Sequence, residues 1–206
     1  MYIPKAFEVT EKEKLYNFIK NNSFGILFSQ DDIGPMATHL PFLLHESGQL
    51  STHMAKANPH WKSLNGKEVL VVFQGPHAYI SPTWYHEENT VPTSNYVAAH
   101  VYGTVKIVKS KEETVHLMDQ MVNLYESGLS EPWTAPFGTK FIDGLMNGIV
   151  MLKITINKVE GKWKLNQIHS IERQQNVVNG LRMAKKYHFV EIADLMEENI
   201  QLCTKS

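Results

Sequence analysis

The chain has 206 residues, of which 43% are hydrophobic and 20% are charged, and its net charge at pH 7 is −1. These values are ordinary for a globular protein and exclude a strong overall attraction to nucleic acid or to an anionic membrane. The single cysteine, Cys203, excludes a disulfide within the chain and fits a reducing compartment. The N-terminal residues lack the order of a signal peptide, and no apolar run is long enough to span a bilayer, so we expect a cytoplasmic protein.

The first part of the chain is predicted to form one helix and then a series of short strands. Thr10 and Glu13 form a capping box, after which Leu15 and Phe18 recur at helical spacing until the helix ends near Asn21. The elements expected next are strands over residues 23–29, 36–44, 49–54, 68–74 and 77–80, a turn over 31–35, and a short helix or turn over 58–64. Most of this part therefore belongs to a sheet.

The second part of the chain is predicted to alternate between strands and helices. A long strand is expected over residues 95–108, in which Gly103 marks a bulge or a point of close approach. Ser110 and Glu113 form a second capping box, which predicts a helix running toward Glu126. The remaining expected elements are a short helix near 141–146, strands over 149–158 and 161–167, and helices over 171–186 and 189–202.

This order of elements predicts a single domain over residues 1–206 that is mainly β with peripheral α-helices. Several strands come early, a helix intervenes, two strands return, and helices complete the chain from about residue 171. Such an order favours a mostly antiparallel barrel over a parallel sheet built from βαβ units.

The stretch from Leu50 to Val105 has a composition that an ordinary core strand does not need. It contains the runs LSTHMAKANPHW (50–61), GPHAYISPTWY (75–85) and VPTSNYVAAHVYG (91–103). These runs combine hydrogen-bond donors, a cation and flat rings, which are the parts of a site for a planar, anionic, aromatic ligand. His53, Lys56 and Asn58 lie at a strand end and in the loop after it, where they form either an anion site or a solvated turn.

Two other groups of residues leave a similar choice open. The aromatic residues around Ser81-Pro82 either wall a flat ligand or pack in a core or an interface. The long strand carries polar side chains on both faces, with Tyr96 and His100 on one face and Asn95 on the other. Such a strand occurs at a ligand site, at a dimer seam or at a partly exposed edge.

Metal binding and DNA binding find little support in the residue spacing. The ten histidines are spread over separate elements, and HExxH and CxxC motifs are absent, so we expect no metal site. The predicted helix over 171–186 carries Arg173, Arg182, Lys185 and Lys186, as a helix docked on DNA would. Acidic residues follow it directly, so a solvated amphipathic helix pair is favoured.

Together these motifs resemble the PaiB family of protease synthase and sporulation negative regulators of bacilli, which belongs to the flavin-binding split barrels together with pyridoxamine-phosphate-oxidase-like proteins. The resemblance covers nearly the whole chain and rests on MYIPKAF (1–7), THLPF (38–42), HMAKANPHW (53–61), FQGPHAYISPTWY (73–85), VPTSNYVAAHVYG (91–103) and GKWKLNQ (161–167). It implies a split β-barrel, a homodimer and an FMN site at the dimer seam.

The resemblance also implies which residues contact the cofactor, because a His-then-basic strand end holds the FMN phosphate in related barrels. At the phosphate end the implied residues are His53 and Lys56, with Met54, Asn58 and Trp61 nearby. On the isoalloxazine side they are Thr38, His39 and Leu40, and Asn95 and Tyr96 close the pocket. The late strand contributes Lys164 and Gln167. Relatives often carry Ser-Gln-Asn after the Lys-Leu of that strand. Asn166 and Ile168 depart from this pattern, so the contacts of this segment stay open.

The function implied by the resemblance is an FMN-binding protein associated with negative transcriptional regulation of sporulation and protease genes. The alternative is a flavin-dependent oxidoreductase of unknown substrate, whose regulatory effect is indirect. No catalytic acid or base is identifiable, which does not count against this alternative because a flavin performs the difficult step itself. A haem-handling protein is a third hypothesis, since some split barrels bind haem and the chain is rich in histidine.

Overall fold

The fold is known from a computed structural model, which describes residues 1–31, 34–184 and 189–204. The strands are β1 (Glu8–Val9), β2 (Phe24–Asp31), β3 (Gly34–Pro41), β4 (Leu43–Leu44), β5 (Gln49–Ala55), β6 (Glu68–Ile80), β7 (Thr93–Ile107) and β8 (Ile149–Lys164). The helices are α1 (Lys12–Asn21), α2 (Lys111–Glu126), α3 (Lys140–Met146), α4 (Ile171–Ala184) and α5 (Phe189–Thr204). Three short 3₁₀ turns, over Lys5–Phe7, Pro59–Ser63 and Pro82–Tyr85, complete the described elements.

The strands follow the order β3-β2-β6-β7-β8-β5-β4, and β1 pairs with β8. All strand pairs with a defined register are antiparallel. These pairs are β1 with β8, β2 with β3 and β6, and β5 with β4 and β8. The predicted mainly antiparallel architecture with peripheral helices is therefore confirmed. None of the helices among the described residues is long and apolar enough to cross a bilayer.

The described residues fall into two compact units. The first unit comprises residues 1–15, 74–99, 160–184 and 189–204, and the second comprises residues 16–31, 34–73 and 100–159. Strands β6, β7 and β8 contribute residues to both units. The single domain over residues 1–206 stays a prediction, and each unit is described by itself.

Helices α4 and α5 supply much of the core of the first unit. Val177 and Leu181 of α4 and Ile192 and Met196 of α5 are fully buried. Gly180 lies against an aromatic ring, because a Cβ atom at this position would come within 2.4 Å of the Trp84 side chain. A larger residue would force that ring to move, so this helix needs a glycine at its contact with the aromatic turn.

The second unit has α2 packed on its strands. Leu117 and Met121 of α2 are buried against Met151 of β8, and they form a compact apolar cluster. Gly103 of β7 is a point of close approach, as predicted, because a Cβ atom there would lie 2.5 Å from the carbonyl oxygen of Thr155. No side chain fits in that space, so the sheet can close here only around a glycine.

The structure differs from the expected elements in three places. The strand expected over 36–44 is interrupted at Phe42, whose side chain is buried and whose backbone N–H donates to the carbonyl of Ser23 at 2.8 Å. The strands expected over 68–74 and 77–80 form the single strand β6, and those over 149–158 and 161–167 form the single strand β8. The predicted gaps at residues 75–76 and 159–160 are therefore absent, and each strand continues through them.

The other expected helices and strands are confirmed with small shifts of their ends, and the short helix predicted near Asn58 is the 3₁₀ turn that begins at Pro59. The turn expected over 31–35 is narrower, since Asp31 and Gly34 already pair across the two strands. Residues 32 and 33 lie outside the described residues, as do Lys185, Lys186 and the break expected at residues 187–188.

Candidate functional site

The loop after β5 carries three of the predicted site residues and is organised by a buried histidine. Asn58 caps the 3₁₀ turn, because its side-chain oxygen accepts a hydrogen bond from the backbone N–H of His60 at 3.0 Å. Pro59 occupies the first position of that turn, where its missing N–H costs nothing. The sequence Asn-Pro-His therefore turns the chain sharply and directs His60 inward.

His60 is fully buried and both of its ring nitrogens are hydrogen-bonded. Nε2 lies 2.8 Å from the hydroxyl of Ser29, and Nδ1 lies 2.7 Å from the hydroxyl of Thr38. The amide of Asn58 also donates to the Thr38 hydroxyl at 3.3 Å. Burial lowers the pKa of His60, and the nearby charge of Asp31 opposes this shift in part. A neutral imidazole thus connects β2 and β3 to the loop.

Lys56 is held by its backbone while its side chain stays exposed. Its N–H donates to the carbonyl of Gly148 at 2.8 Å, and its carbonyl accepts from the indole N–H of Trp61 at 3.0 Å. These two bonds fix the position from which the lysine side chain extends. The ammonium group can therefore reach a ligand without first ordering the loop.

A cavity of about 250 Å³, which we call the anion cavity, opens beside Lys56. Its polar lining consists of Lys56, Trp61, Lys109, Ser110, Lys111, Thr114 and Asn147. Lys111 forms an ion pair with Asp143 at 3.1 Å. Among the described residues, Lys56 and Lys109 have no carboxylate within ion-pair distance. Two cations are thus available for an anionic ligand.

The start of α2 borders the anion cavity, but the Ser110 hydroxyl and the backbone N–H of Glu113 are already hydrogen-bonded within the helix terminus. The Ser110 hydroxyl accepts from the N–H of Glu113 at 3.1 Å and donates to the carboxylate of Glu112 at 2.7 Å. The predicted capping box is therefore half formed, because the Glu113 carboxylate pairs with Lys153 instead. The lysine ammonium groups, and not the helix terminus, are the donors that can bind an anion such as a phosphate.

The other predicted residues of the second unit differ in exposure. Thr38 is half-buried in the His60 network, and His39 is exposed and stacked on Phe24 with ring centroids 6.3 Å apart. Leu40 and Met54 are buried in the core. Their side chains are therefore occupied by packing, and a ligand along β3 would meet the backbone or His39.

Asn95 and Tyr96 belong to the first unit. Asn95 is fully buried, and its amide nitrogen donates to the sulfur of Met196 at 3.4 Å. Its side-chain oxygen is buried without a hydrogen-bond partner among the described residues. The ring of Tyr96 lies 5.2 Å from the ammonium of Lys162 in a cation–π contact. A buried amide oxygen without a donor is an unmet polar group that a structure tolerates rarely.

Lys164 and Gln167 also lie in the first unit, and both are engaged by neighbouring backbone or hydroxyl groups. Lys164 donates to the Thr93 hydroxyl and to the Ser94 carbonyl, and its pKa is lowered by burial and by the charge of Lys162. Gln167 accepts from the N–H of Leu165 at 2.7 Å and donates to the carbonyl of Trp163 at 2.6 Å. The departing residue Asn166 has φ 65°, a left-handed conformation that asparagine tolerates. Gln167 therefore holds a turn in this structure.

Sequence reasoning missed His60, Lys109 and Lys111. His60 is one of ten dispersed histidines, but its place two residues after a capping asparagine is a local sign of an inward-pointing side chain. Lys109 and Lys111 precede the helix that the capping box predicted. No local pattern connects them to Lys56, because the cavity exists only after β5 pairs with β8.

Neither metal ligation nor a cysteine nucleophile emerges from the part of the chain that the structure describes. No group of three or more His, Cys, Asp or Glu side chains there is placed to hold a metal ion. The side chain of Cys203 lies outside the described residues. The chemistry of the candidate site therefore rests on lysine cations, amides and aromatic rings.

Comparison with known proteins gives these features a family context. A family model described as "Putative FMN-binding domain" matches residues 1–158. The "Protease synthase and sporulation protein PAI 2" of Bacillus subtilis is 36% identical over 98% of this chain and 99% of its own length. The "Uncharacterized protein AN0679" of Emericella nidulans is 29% identical over 87% of this chain and 90% of its own length.

Solved structures with the same fold include two flavoproteins. The flavocytochrome Anf3 from Azotobacter vinelandii has a TM-score of 0.62 and 10% identity, over 79% of this chain and 72% of that chain. The FAD and heme binding protein from Mycobacterium smegmatis has a TM-score of 0.60 and 16% identity, over 76% of this chain and 73% of that chain. At these identities the likeness concerns the fold alone, and it confirms the predicted split barrel.

Proposed function

Because the chain belongs to the family described as "Putative FMN-binding domain", we propose that it is an FMN-binding protein and that the anion cavity receives the phosphate of the cofactor. The observation that carries this assignment is the pair of lysines, Lys56 and Lys109, which line one cavity and lack a carboxylate partner among the described residues. Unpaired cations at a concave site are the donors that a phosphate group requires.

The residues present fit a phosphate-bearing ligand by their chemistry. Lys56 and Lys109 supply point charges, and the amide of Asn147 and the indole of Trp61 add polar edges at the same cavity. The His60 network and the bond from Lys56 to Gly148 keep this donor set in place before a ligand arrives. When bound, FMN supplies redox chemistry, and the protein binds and orients it.

We also propose that the protein acts as a cytoplasmic homodimer. Several large apolar side chains of the second unit are more than half exposed, namely Phe24, Leu129, Trp133, Phe141 and Leu145. A second chain that covers these side chains would remove their apolar surface from water. The single cysteine is consistent with a reducing compartment. Sedimentation of the purified protein measures the association directly.

The name of the Bacillus relative supports a role in the control of protease synthesis and sporulation, and we propose the same role for this chain. Direct DNA contact through α4 has weak support. Arg173 pairs with Glu87 at 3.0 Å, and Arg182 pairs with Asp194 at 2.6 Å and Glu197 at 2.9 Å. Since both arginines of this helix are neutralised, a regulatory effect that passes through flavin binding is favoured.

The test of the phosphate assignment is a titration of the purified protein with FMN, followed by flavin absorbance and fluorescence. We expect saturable binding, and we expect Lys56→Gln to weaken it about ten- to hundredfold, because a hydrogen bond to a charged group contributes about 1.5–3 kcal/mol. Lys67→Gln is the matched control, since Lys67 is an exposed lysine of the same unit that does not line the cavity.

Two results would count against the proposal. Unchanged FMN affinity in Lys56→Gln removes the phosphate from this cavity. An absence of saturable binding in the well-folded parent protein removes FMN as the ligand and leaves the barrel as a scaffold for regulation.

A further inference from the structure

A cavity of the first unit, which we call the α5 cavity, is lined by the N-terminal segment, α1, the end of β8 and α5. All of its lining residues belong to the first unit, and it shares none of them with the anion cavity. Its volume is about 190 Å³. Sites for drug-sized ligands begin at about 300 Å³, so the α5 cavity suits a smaller ligand, of the size of one amino acid.

Opposite charges line the α5 cavity without pairing with each other. The carboxylates of Glu8, Glu11 and Glu198 and the ammonium group of Lys14 all border it. Among the described residues, none of these four side chains has a partner within ion-pair distance. Charges of both signs that border one cavity without reaching each other leave room for a ligand that carries both charges.

The side chain of Asn199 adds an unused hydrogen-bond donor to the same cavity. Asn199 lies on α5 and lines the cavity, and its Nδ2 is buried without a hydrogen-bond partner in the described part of the chain. Buried polar groups are nearly always hydrogen-bonded, because an unpaired one has lost its water without compensation. This donor is independent of the charged side chains, and it requires an oxygen acceptor such as a carboxylate.

The rest of the lining is largely apolar and partly fixed by the sheet. Trp163 of β8 is buried, and a Cβ atom at Gly161 would come within 2.9 Å of its ring, so the ring is packed closely against the backbone. Leu195 and Leu202 line the cavity from α5, and Leu202 is 57% exposed. An apolar group bound here would remove part of this surface from water.

We propose that the α5 cavity binds a free amino acid with an apolar side chain. The ammonium group of the ligand pairs with the carboxylates of Glu8, Glu11 and Glu198. Its carboxylate accepts from Lys14 and from the Asn199 amide, and its side chain packs on the apolar lining. Unpaired charges of both signs and an unused amide donor on one small cavity carry this inference, which does not depend on the binding of FMN.

The test is calorimetric titration of the purified full chain with three probes of similar shape. L-leucine carries both charges, L-leucinamide lacks the carboxylate charge, and 4-methylpentanoate lacks the ammonium group. We expect L-leucine to bind saturably at one site per chain. We expect each of the other two probes to bind at least about tenfold more weakly, because each loses a charge-assisted interaction.

Variants separate a binding role from a structural one. We expect Asn199→Leu to weaken L-leucine binding about tenfold and to leave the Tm of the unliganded protein equal or higher, because an apolar group replaces a buried donor without a partner. We expect Lys14→Gln to weaken L-leucine binding and to leave L-leucinamide binding unchanged. Glu198→Gln should weaken both, and Glu172→Gln is its matched control, since Glu172 is an exposed carboxylate of the same unit outside the cavity.

Four results would overturn the proposal. The first is an absence of saturable L-leucine binding by the well-folded parent protein. The second is equal affinity for L-leucine and 4-methylpentanoate, which removes the ammonium site, and the third is tighter binding of L-leucinamide, which removes the carboxylate site. The fourth is unchanged L-leucine affinity in both Asn199→Leu and Lys14→Gln, which places the ligand elsewhere. None of these results changes the assignment of FMN to the second unit.

Discussion

Replacing His60 with alanine tests whether the buried histidine holds the binding loop in place. The substitution removes two hydrogen bonds, to Ser29 and Thr38, and leaves a void where a fully buried ring was packed. The two bonds contribute about 1 kcal/mol each, and the lost packing adds about 1 kcal/mol more. We therefore expect the free energy of unfolding to fall by about 3 kcal/mol. For a chain of this size that corresponds to a decrease in Tm of about 6–12 °C.

The measurement is urea denaturation at pH 7.5, monitored by far-UV circular dichroism and tryptophan fluorescence. His116→Ala is the matched control, because His116 is an exposed histidine on α2 and alanine is a good helix former. We also expect FMN affinity to fall in His60→Ala, since the 3₁₀ turn after Asn58 loses its side-chain bonds to Ser29 and Thr38. A loss of stability below about 1 kcal/mol at unchanged cooperativity would refute the idea that His60 organises this loop.

The remaining predictions concern pH and nucleic acid. Burial lowers the pKa of His60 and of His53 in the folded state. The stability contributed by their neutral forms is therefore complete above the unfolded pKa of about 6.5 and is lost as the pH falls from there through the lower folded pKa. Urea titrations between about pH 5 and 8 should show this decline, with a shallower slope in His60→Ala, and equal slopes would contradict the assignment. In electrophoretic shift assays we expect no binding of duplex DNA at physiological salt, because the net charge is −1 and Arg173 and Arg182 are ion-paired. A saturable, salt-dependent shift would contradict this prediction and would mean that residues outside α4 bind the DNA.

The sequence was sufficient for most elements because their signals are local. Ser110 caps α2 as its spacing to Glu113 predicts, and Asn58-Pro59 starts a turn. The long strands β6 and β8 are each predicted from the sequence as two strands, with gaps at residues 75–76 and 159–160. Neighbouring strands in the sheet favour extended backbone beyond what local propensity indicates, and a single sequence contains no information about those neighbours.

The candidate site was predicted only where its residues are neighbours in the chain. His53, Lys56 and Asn58 lie at one strand end and in the loop after it, so their residue types indicated an anion site. Lys109 reaches the same cavity because it lies between β7 and α2, and no periodic pattern in the sequence encodes that position.

The hydrogen bond between Lys56 and Gly148 has a consequence for the order of folding. It joins residues about ninety positions apart, and the β5–β8 register beside it spans a similar separation. Closing so long a loop is slow compared with forming the local β2–β3 hairpin. During synthesis the hairpin can therefore form early, while the anion cavity stays incomplete until β8 has left the ribosome. Capture of a ligand by the nascent chain would mark the late pairing of β8. A chain truncated before Gly148 would lack the lining residues Ile149, Val150 and Met151 and so would never acquire the cavity.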